Sequence, residues 1–268
     1  MSERILKALM QLFALIAKID SVNNDAKSVV ETFLKQQLNA ELVQQYLDLF
    51  QEYLEKHQKK SKNKEGKQRK KTSVNSVKVL RICTQINEEL QQKQKTIVLL
   101  RLLEFTFADN YSEQEIEFVK TVADTFNIPE EDLRESMAFV VSNDQTIPDN
   151  DNFLIISKDN KVKFERAKKI NHPQLSGCIK ILKLGQSGNY ITKYCGEEAI
   201  YINGQVIDTN RVYFLANGSS IRSKKLKPIY FSDITSKYRT EAKTKELDFV
   251  IDKLEYKFPA GNVGIHEL

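Results

Sequence analysis

Carboxylates occupy corresponding places in two helix-rich stretches of this sequence. In the stretch that begins at Leu15, an apolar helix pattern ends at an aspartate, a short polar turn follows, and a new helix pattern begins; the stretch that begins at Leu103 repeats this order. Several carboxylates that meet at helix ends can bind a hard divalent cation such as Mg²⁺ or Ca²⁺ through oxygen. The sequence therefore predicts a weak cation site whose candidate ligands are Asp20, Asp25, Asp109, Glu113 and Glu115.

The same carboxylates have a second interpretation as helix caps. Acidic side chains at helix N-termini accept hydrogen bonds from free backbone amides and interact favourably with the helix dipole. Ser112 followed by Glu115 has the capping-box pattern, which predicts such a local role. Lys27 also stands in the first stretch where a further acidic residue is expected. From the sequence alone, both interpretations of these carboxylates, as helix caps and as cation ligands, stay open.

The elements around these carboxylates are predicted to be helices. Up to residue 141 the chain is rich in helix formers and holds one proline and one glycine, a composition that favours α-helix. Apolar residues recur at three- and four-residue spacing from Leu6 to Ile19, which predicts a first helix. The same pattern predicts six more helices: Ala26–Leu38, Glu41–Glu55, Val77–Leu90, Thr96–Ala108, Ser112–Phe126 and Glu130–Val140.

The repeated stretches resemble the TerB-like tellurite-resistance family, whose small helical domains contain two helix hairpins marked by an aspartate and then an acidic pair. The match is clearest in the second stretch, where Phe107-Ala108-Asp109-Asn110 is followed by Ser112-Glu113-x-Glu115. The first stretch is degenerate, and Asn110 replaces the glycine that is common in the family after the aspartate. The resemblance implies a helical domain over residues 1–145 with its cation ligands among these acids.

A strongly basic segment, residues 56–73, lies between the two stretches. It holds nine lysine or arginine residues and one glutamate, and we predict a loop here because such a charged segment cannot fold alone. Three roles are open: a solvated connection, attraction to anionic lipid headgroups, or contact with nucleic acid phosphates. No aromatic residue is interleaved among the lysines, so bases have no stacking platform and no nucleic acid partner is expected.

Beyond a linker at residues 146–152, the periodicity shifts towards two and turn signals such as Asn203-Gly204 become frequent. Many short strands at close spacing predict an all-β sandwich over residues 153–240. The predicted fold class is thus multidomain α + β, an all-α helical bundle followed by an all-β sandwich. The predicted strands are Phe153–Ser157, Lys161–Arg166, Cys178–Leu184, Tyr190–Tyr194, Ala199–Ile202, Gln205–Ile207, Val212–Leu215, Ser220–Ser223 and Ile229–Asp233.

Residues Ala199–Ile221 resemble the later half of a forkhead-associated domain, in which an Asn-Gly hairpin is followed by further short strands. The resemblance implies the scaffold of that family. Its phosphothreonine-reading Gly-Arg pair and Ser-His motif are absent from the sequence, and only Asn203 corresponds to a binding-loop asparagine. A structural or docking role is therefore expected for this region.

The stretch Leu247–Leu268 has an alternating strand pattern, a Pro-Ala-Gly-Asn turn and a second apolar start. It resembles the first hairpin of an ABC-type nucleotide-binding domain. The resemblance implies that residues 241–268 are a linker and the first strands of such a domain, and that Phe258 or Tyr256 stacks on adenine in a longer parent. ATP and Mg²⁺ are expected as cofactors of that parent only, because this sequence has no G-x-x-x-x-G-K-[ST] loop.

These features lead to an expected function as a non-catalytic accessory or regulatory region of an ABC transporter ATP-binding protein. This hypothesis implies that the chain is cytoplasmic and lies at the inner face of the membrane, where it binds a transmembrane transporter subunit. The alternative is a free-standing intracellular adaptor or cation-binding protein related to tellurite-resistance domains. Protein partners are expected in both cases, with anionic lipid as a further contact. No G-x-S-x-G or H-E-x-x-H motif occurs, so no enzyme activity is expected in this chain.

The spacing of the cysteines and histidines indicates neither a redox motif nor a metal site. Cys83, Cys178 and Cys195 form no C-x-x-C pair, so reduced thiols are predicted. The three histidines are scattered and none has a neighbour at metal-ligand spacing. No apolar run approaches the ~20 residues that a membrane span needs.

Overall fold

The computed structural model describes residues 2–17, 24–35, 37–62, 68–108, 111–142, 148–158, 164–239, 256–259 and 263–265. The chain forms two compact units, Met1–Tyr238 and Arg239–Leu268.

Seven helices among the described residues make up the first part of the larger unit. They are α1 (Glu3–Ile16), α2 (Asn24–Lys35), α3 (Ala40–Lys62), α4 (Gln68–Glu89), α5 (Gln92–Phe107), α6 (Glu113–Thr125) and α7 (Glu130–Val141). Each coincides with one of the helices predicted from the apolar spacing. Helix α1 packs against α3 and α4, and α5 packs against α2, α6 and α7. The rings of Phe13 and Phe105 lie 5.6 Å apart at the centre of this core.

Helices α3 and α4 extend into the basic segment that was expected to be a loop. Residues 56–62 continue α3 and residues 68–73 belong to α4. Lysine, arginine and glutamine are good helix formers, and no proline interrupts them, so each helix propagates beyond its apolar part. The backbone of the basic segment is therefore helical wherever the structure describes it.

Two sheets follow the helices in the larger unit. Strands β1 (Phe153–Ser157), β2 (Lys168–Asn171), β3 (Cys178–Lys183), β4 (Tyr190–Cys195) and β7 (Val212–Leu215) form the first sheet, in the order β2-β1-β3-β4-β7. Strands β5 (Tyr201–Ile202), β6 (Gln205–Val206), β8 (Ser220–Arg222) and β9 (Ile229–Tyr230) form the second, in the order β6-β5-β8-β9. Helix α8 (Phe231–Ser236) comes next. Strands β1 and β2 are parallel, and the other described pairs are antiparallel.

Alternate residues of the first sheet enter two different apolar cores. Phe153 and Ile155 of β1 belong to the core that contains the helices. Leu154 and Ile156 belong to a second core, shared with residues of the second sheet such as Ile221. Because side chains alternate across a strand, the first sheet forms a layer between the helices and the second sheet. This layering confirms the predicted α + β class.

The strand predicted at Lys161–Arg166 falls only partly on described residues. Residues 161–163 lie outside them, residues 164–166 are not in a strand, and the strand that follows is β2, which begins at Lys168. The backbone N–H groups of Glu165, Arg166 and Ala167 donate to the carboxylate of Asp149 at 2.9, 2.9 and 2.7 Å. Donors held by a side chain in this way are not available to a strand ladder, so pairing begins only after the turn.

The strand expected at Ile229–Asp233 is also shorter than predicted. It ends at Tyr230, where α8 begins. The carboxylate of Asp233 accepts the Tyr230 N–H at 2.9 Å, which is half of a capping box. Asp233, the last residue of the predicted strand, therefore caps the start of a helix.

The smaller unit contains an antiparallel hairpin at the place where the sequence predicts one. Strand β10 (Tyr256–Lys257) pairs with β11 (Val263–Ile265), and Tyr256 lies opposite Ile265. The earlier part of the expected strand, residues 249–255, lies outside the described residues.

The predicted domain boundaries, 1–145 for the helical part and 153–240 for the β part, stay predictions. The structure adds that the two parts pack on each other within a single compact unit. Within the described chain, no helix combines the length and the apolar character that crossing a membrane requires.

Candidate functional site

The structure describes the side chains of two of the five predicted cation ligands, Glu113 and Glu115. Asp20 and Asp109 lie outside the described residues, and Asp25 falls in α2, where its side chain is likewise not described. Glu113 and Glu115 are in the first turn of α6. Among the described residues, no group of three or more histidine, cysteine, aspartate or glutamate side chains is arranged to hold a metal ion. The predicted cation site therefore stays a prediction.

Glu115 serves as a helix cap in the described structure. One of its carboxylate oxygens, Oε2, accepts the backbone N–H of Ser112 at 2.6 Å and the Ser112 hydroxyl at 2.7 Å. The Glu115 N–H donates back to the Ser112 hydroxyl at 3.4 Å. This reciprocal arrangement is the capping box that the sequence pattern predicts. Glu113, by contrast, is exposed.

Three further candidate residues lie in or beside short hairpins. Phe258, the residue after β10, is 51 % exposed, and Tyr256 is the first residue of that strand. The side chain of Asn203 accepts the Ser220 N–H at 3.0 Å and donates to the Ser219 hydroxyl at 3.2 Å. Asn203 has φ 52°, so its role within the described structure is to hold a hairpin turn together.

The sequence did not indicate a set of buried charged residues between the helices and the first sheet. We call this set the polar seam, and its members are Arg101, Glu104, Asp132, Lys180 and Lys193, all between 0 and 7 % exposed. Burying a charge is costly unless it is paired and hydrogen-bonded. Each member must therefore be judged by its partners.

The first part of the polar seam joins α5 to β7. Arg101 donates to the Glu104 carboxylate, and the other oxygen of Glu104 accepts the Val212 N–H at 2.7 Å. The Arg101 guanidinium also lies 5.5 Å from the centre of the Tyr213 ring. Strand β7 is the last strand of the first sheet, so Glu104 satisfies a donor that has no neighbouring strand.

The second part of the polar seam attaches both ends of α7 to the β3–β4 hairpin. Near the start of the helix, the Asp132 carboxylate accepts the N–H groups of Gln186 and Ser187, each at 3.0 Å. At the end of the helix, Lys193 Nζ donates to the carbonyl oxygens of Val140 and Ser142, at 2.9 and 3.2 Å. The last carbonyls of a helix have no partner within it and carry partial negative charge, so an ammonium group suits them.

Lys180 lies beside Lys193 and contributes to the same helix end. Its Nζ donates to the Ser142 carbonyl at 3.5 Å, and the two lysines are cross-strand partners in β3 and β4. Burial, above all, lowers the pKa of Lys193, and the neighbouring Lys180 acts in the same direction. Two ammonium groups are thus brought together in the interior by the carbonyls of α7.

A third set of contacts joins α2 to the loop before β7. The Thr32 hydroxyl donates to Asp208 at 3.1 Å, and Arg211 donates to the Ser28 hydroxyl at 3.1 Å. Together with the polar seam, these bonds connect the β part to three helices, α2, α5 and α7.

The sequence contains a signal that could have indicated the buried lysines. Strand β3 carries apolar residues on both faces, since Ile181 enters one core and Leu182 the other. A strand that is apolar on both faces is covered on both sides. A lysine inside it must then be buried and must find acceptors, although the sequence does not say that they belong to α7.

An open cavity of about 470 Å³ lies next to the β2–β3 connection. Its lining consists of Ser157, Lys158 and the segment Pro173, Gln174, Leu175, Ser176 and Gly177. Lys158 is the ionisable residue of this lining.

Comparison with known proteins identifies the helical part of the chain. Residues 6–138 match the family described as Tellurite resistance protein TerB. Neither the curated proteins nor the solved structures give a match. The match spans α1 to α7 except for the first three residues of α1 and the last three of α7, which is the region that the repeated acidic stretches indicate. The N-terminal helical region of this chain is therefore a TerB domain.

Proposed function

We propose that this chain is a non-catalytic adaptor in which the TerB domain and the β part act as one rigid docking unit for a protein partner. The observation that carries the proposal is the polar seam. Buried charges tolerate little displacement from their partners, because every lost hydrogen bond leaves a desolvated group. An interface of this kind favours one relative orientation of the two parts, whereas a purely apolar interface tolerates sliding.

A fixed orientation is useful to a protein that binds by two surfaces at once. Preorganisation lowers the entropy cost of association, so a partner that contacts both parts gains affinity from their rigid attachment. The exposed apolar residues Val77 and Leu80 of α4, together with Val206 and Tyr230 of the second sheet, show that both parts carry apolar side chains at the surface.

The proposal is tested by measuring partner binding when the polar seam is weakened. Affinity capture followed by mass spectrometry names a partner, which is then purified and titrated against wild type, Asp132→Ala and Glu131→Ala. Asp132 is 1 % exposed, and Glu131 is its exposed neighbour on the same helix. We expect affinity about tenfold weaker for Asp132→Ala, equivalent to ~1.4 kcal/mol, and unchanged for Glu131→Ala. Equal affinity of all three chains contradicts the docking unit.

A second candidate function is the accessory or regulatory region of an ABC transporter ATP-binding protein. The hairpin β10–β11 and the exposed Phe258 beside it favour this function, because an accessible aromatic ring can stack on adenine. The transmembrane transporter subunit would then be the partner, ATP and Mg²⁺ the cofactors of the longer parent, and the inner face of the membrane its location.

Nucleotide binding by the longest natural reading frame tests this second candidate. We expect Phe258→Ala to weaken ATP binding in that protein by a stacking contribution of ~1–3 kcal/mol, by analogy with bases on aromatic side chains. A Phe258→Tyr variant is the matched control, since it keeps the ring. A reading frame without a phosphate-binding loop, or equal ATP affinity of all variants, rules the candidate out.

A divalent cation in the TerB domain is a further part of the proposal. Its ligands would be Asp20, Asp25, Asp109 and Glu113, while Glu115 fixes the start of α6 as a cap. Calorimetric titration with Mg²⁺ and Ca²⁺ tests it. We expect weak binding that is reduced by Asp109→Asn, and a flat trace at millimolar cation contradicts the site.

A further inference from the structure

Cys178 and Cys195 lie directly opposite each other on neighbouring antiparallel strands. Cys178 is the first residue of β3, Cys195 is the last residue of β4, and the register of the two strands pairs them. Both side chains are partly exposed, and neither cysteine is in a disulfide in the structure. The two cysteines are far apart in sequence, which is why no spacing motif indicated them.

The backbone hydrogen bonds fix the kind of pair that these cysteines form. The Leu184 N–H donates to the Asn189 carbonyl at 2.8 Å, so these two residues form a hydrogen-bonded pair. Opposite residues of antiparallel strands alternate between hydrogen-bonded and non-hydrogen-bonded pairs. Counting along β3 and β4 from Leu184, Cys178 and Cys195 are again a hydrogen-bonded pair. The Cα atoms of such a pair are about 5.5 Å apart. Disulfides span Cα distances of about 4.4–6.8 Å, so a bond between the two sulfurs is within reach.

The same geometry indicates that the bond would be easily reduced. Directly opposite residues of a hydrogen-bonded pair hold their Cβ atoms near the upper end of about 4.5–5.5 Å, whereas a disulfide brings them to about 3.8 Å. The strand ends must therefore move together. A disulfide formed under such strain is more reducible than a structural one.

Gly177 keeps the two strands in contact beside the cysteine pair. It has φ +81°, and a Cβ atom at this position would lie 2.0 Å from the carbonyl oxygen of Cys195. Only glycine fits this approach without forcing the strands apart. Because Cys178 and Cys195 form the terminal pair of β3 and β4, closure needs movement of the strand ends alone.

The surroundings of the pair favour thiol chemistry there and not at the third cysteine. Lys180 and Lys193 form the next hydrogen-bonded pair on the same face of the sheet, and positive charge near a thiol favours the thiolate that attacks disulfides. Cys83 is fully buried, and burial raises its pKa to about 12. The Cys83 thiol therefore stays protonated and shielded from reagents.

We propose that Cys178 and Cys195 are a redox modification site, which forms a reversible disulfide by exchange with a low-molecular-weight disulfide such as oxidised glutathione. One cysteine thiolate attacks a sulfur of the small disulfide and expels one glutathione thiolate. The second cysteine then attacks the protein sulfur of the mixed disulfide and expels the other. One S–S bond breaks and one forms overall; the two thiol protons go to the leaving thiolates, and the protein's two electrons reduce the oxidant.

The closed disulfide would act on the helix–sheet attachment. It ties β3 to β4 next to the lysine pair whose ammonium groups hold the end of α7. Oxidation is therefore expected to stiffen the polar seam on the side of α7.

The experiment is oxidation of the full chain in glutathione redox buffers, followed by intact mass and peptide mapping. We expect wild type and Cys83→Ser to lose two hydrogen atoms and to yield a linked peptide pair containing Cys178 and Cys195. Excess reduced glutathione should restore both thiols. Cys178→Ser and Cys195→Ser should instead stop at a mixed disulfide with one glutathione.

Three outcomes overturn the proposal. The first is that both thiols of wild type remain open to alkylation after oxidation. The second is that wild type carries glutathione on each cysteine without a protein disulfide. The third is a bond between two copies of the chain, seen as a dimer on a non-reducing gel.

Discussion

The carboxylate of Glu104, in helix α5, accepts the backbone N–H of Val212, in the edge strand β7, at a distance of 2.7 Å. Its other oxygen accepts from the Arg101 guanidinium one helical turn away. The side chains of Glu104 and Arg101 are each 3 % exposed. A single buried acidic residue thus neutralises a buried cation and satisfies a strand donor, and so attaches the TerB domain to the sheet.

Because Glu104 and Arg101 depend on each other, we expect replacing one of them to lower the free energy of unfolding more than replacing both. Glu104→Gln leaves the Arg101 guanidinium buried without its counter-charge, so the free energy of unfolding should fall by ~3 kcal/mol or more. The double variant Arg101→Met/Glu104→Gln leaves no unpaired charge and should lose less than Glu104→Gln alone. Urea unfolding of wild type, Glu104→Gln, Arg101→Met and the double variant measures the cycle.

An exposed ion pair supplies the control for that cycle. Arg134 and Glu131 lie 3.9 Å apart with both side chains largely exposed, and the same changes there should alter the unfolding free energy by less than ~0.5 kcal/mol. A double variant at positions 101 and 104 that costs the sum of its single changes would show that the buried charges do not depend on each other.

The second prediction concerns the buried carboxylate of Asp132, whose hydrogen bonds to the loop between β3 and β4 should contribute to the free energy of unfolding. Its two oxygens accept the N–H groups of Gln186 and Ser187. Asn offers a single acceptor oxygen, so Asp132→Asn leaves one of these donors facing an amide NH₂ and should cost ~1–3 kcal/mol. Hydrogen exchange at residues 186 and 187 should increase in the variant. Glu131→Gln, which alters only exposed contacts, to the Gln186 side chain and to Arg134, is the matched control and should leave that exchange unchanged.

The helices and the strand-rich second half follow from local patterns, and this explains why the sequence predicts them. Apolar spacing placed all seven helices from α1 to α7, and the short apolar run Phe153–Ile156 after the linker placed β1, because each pattern reflects which residues are buried. The turn at Glu165–Ala167 was missed because the acceptor that holds it, Asp149, lies many residues away. The same reason applies to Lys193 and to the Cys178–Cys195 pair: their partners are set by tertiary packing, which no spacing motif records.

Glu115 predicts a loss of stability that does not depend on cations. Ser112→Ala and Glu115→Ala each remove one half of the capping box of α6, and each should lower the free energy of unfolding by ~1 kcal/mol. The loss should be equal with Mg²⁺ and with a chelator, since the carboxylate acts on Ser112. Thermal unfolding in both buffers measures it. A loss that appears only with Mg²⁺ would identify Glu115 as a cation ligand.

The buried phenol of Tyr238 predicts that the larger unit loses stability at alkaline pH. Burial, above all, raises the pKa of its phenol above the ordinary value of 10.0, and the hydroxyl donates to the Asn152 carbonyl at 3.0 Å. Below pH 10 the phenol is protonated in the folded and the unfolded chain, so it gives no pH dependence. Above that value the unfolded chain releases the proton while the folded chain keeps it, so stability falls as pH rises, by up to ~1.4 kcal/mol per pH unit.

Tyr238→Phe separates this titration from the other tyrosines. The variant should be less stable than wild type by ~1 kcal/mol at neutral pH, because one hydrogen bond is lost. It cannot ionise at position 238, so its deficit should shrink and then reverse as pH rises above 10. Urea unfolding from neutral to alkaline pH measures the two curves. A constant difference between them would mean that Tyr238 ionises as readily in the folded chain as in the unfolded one.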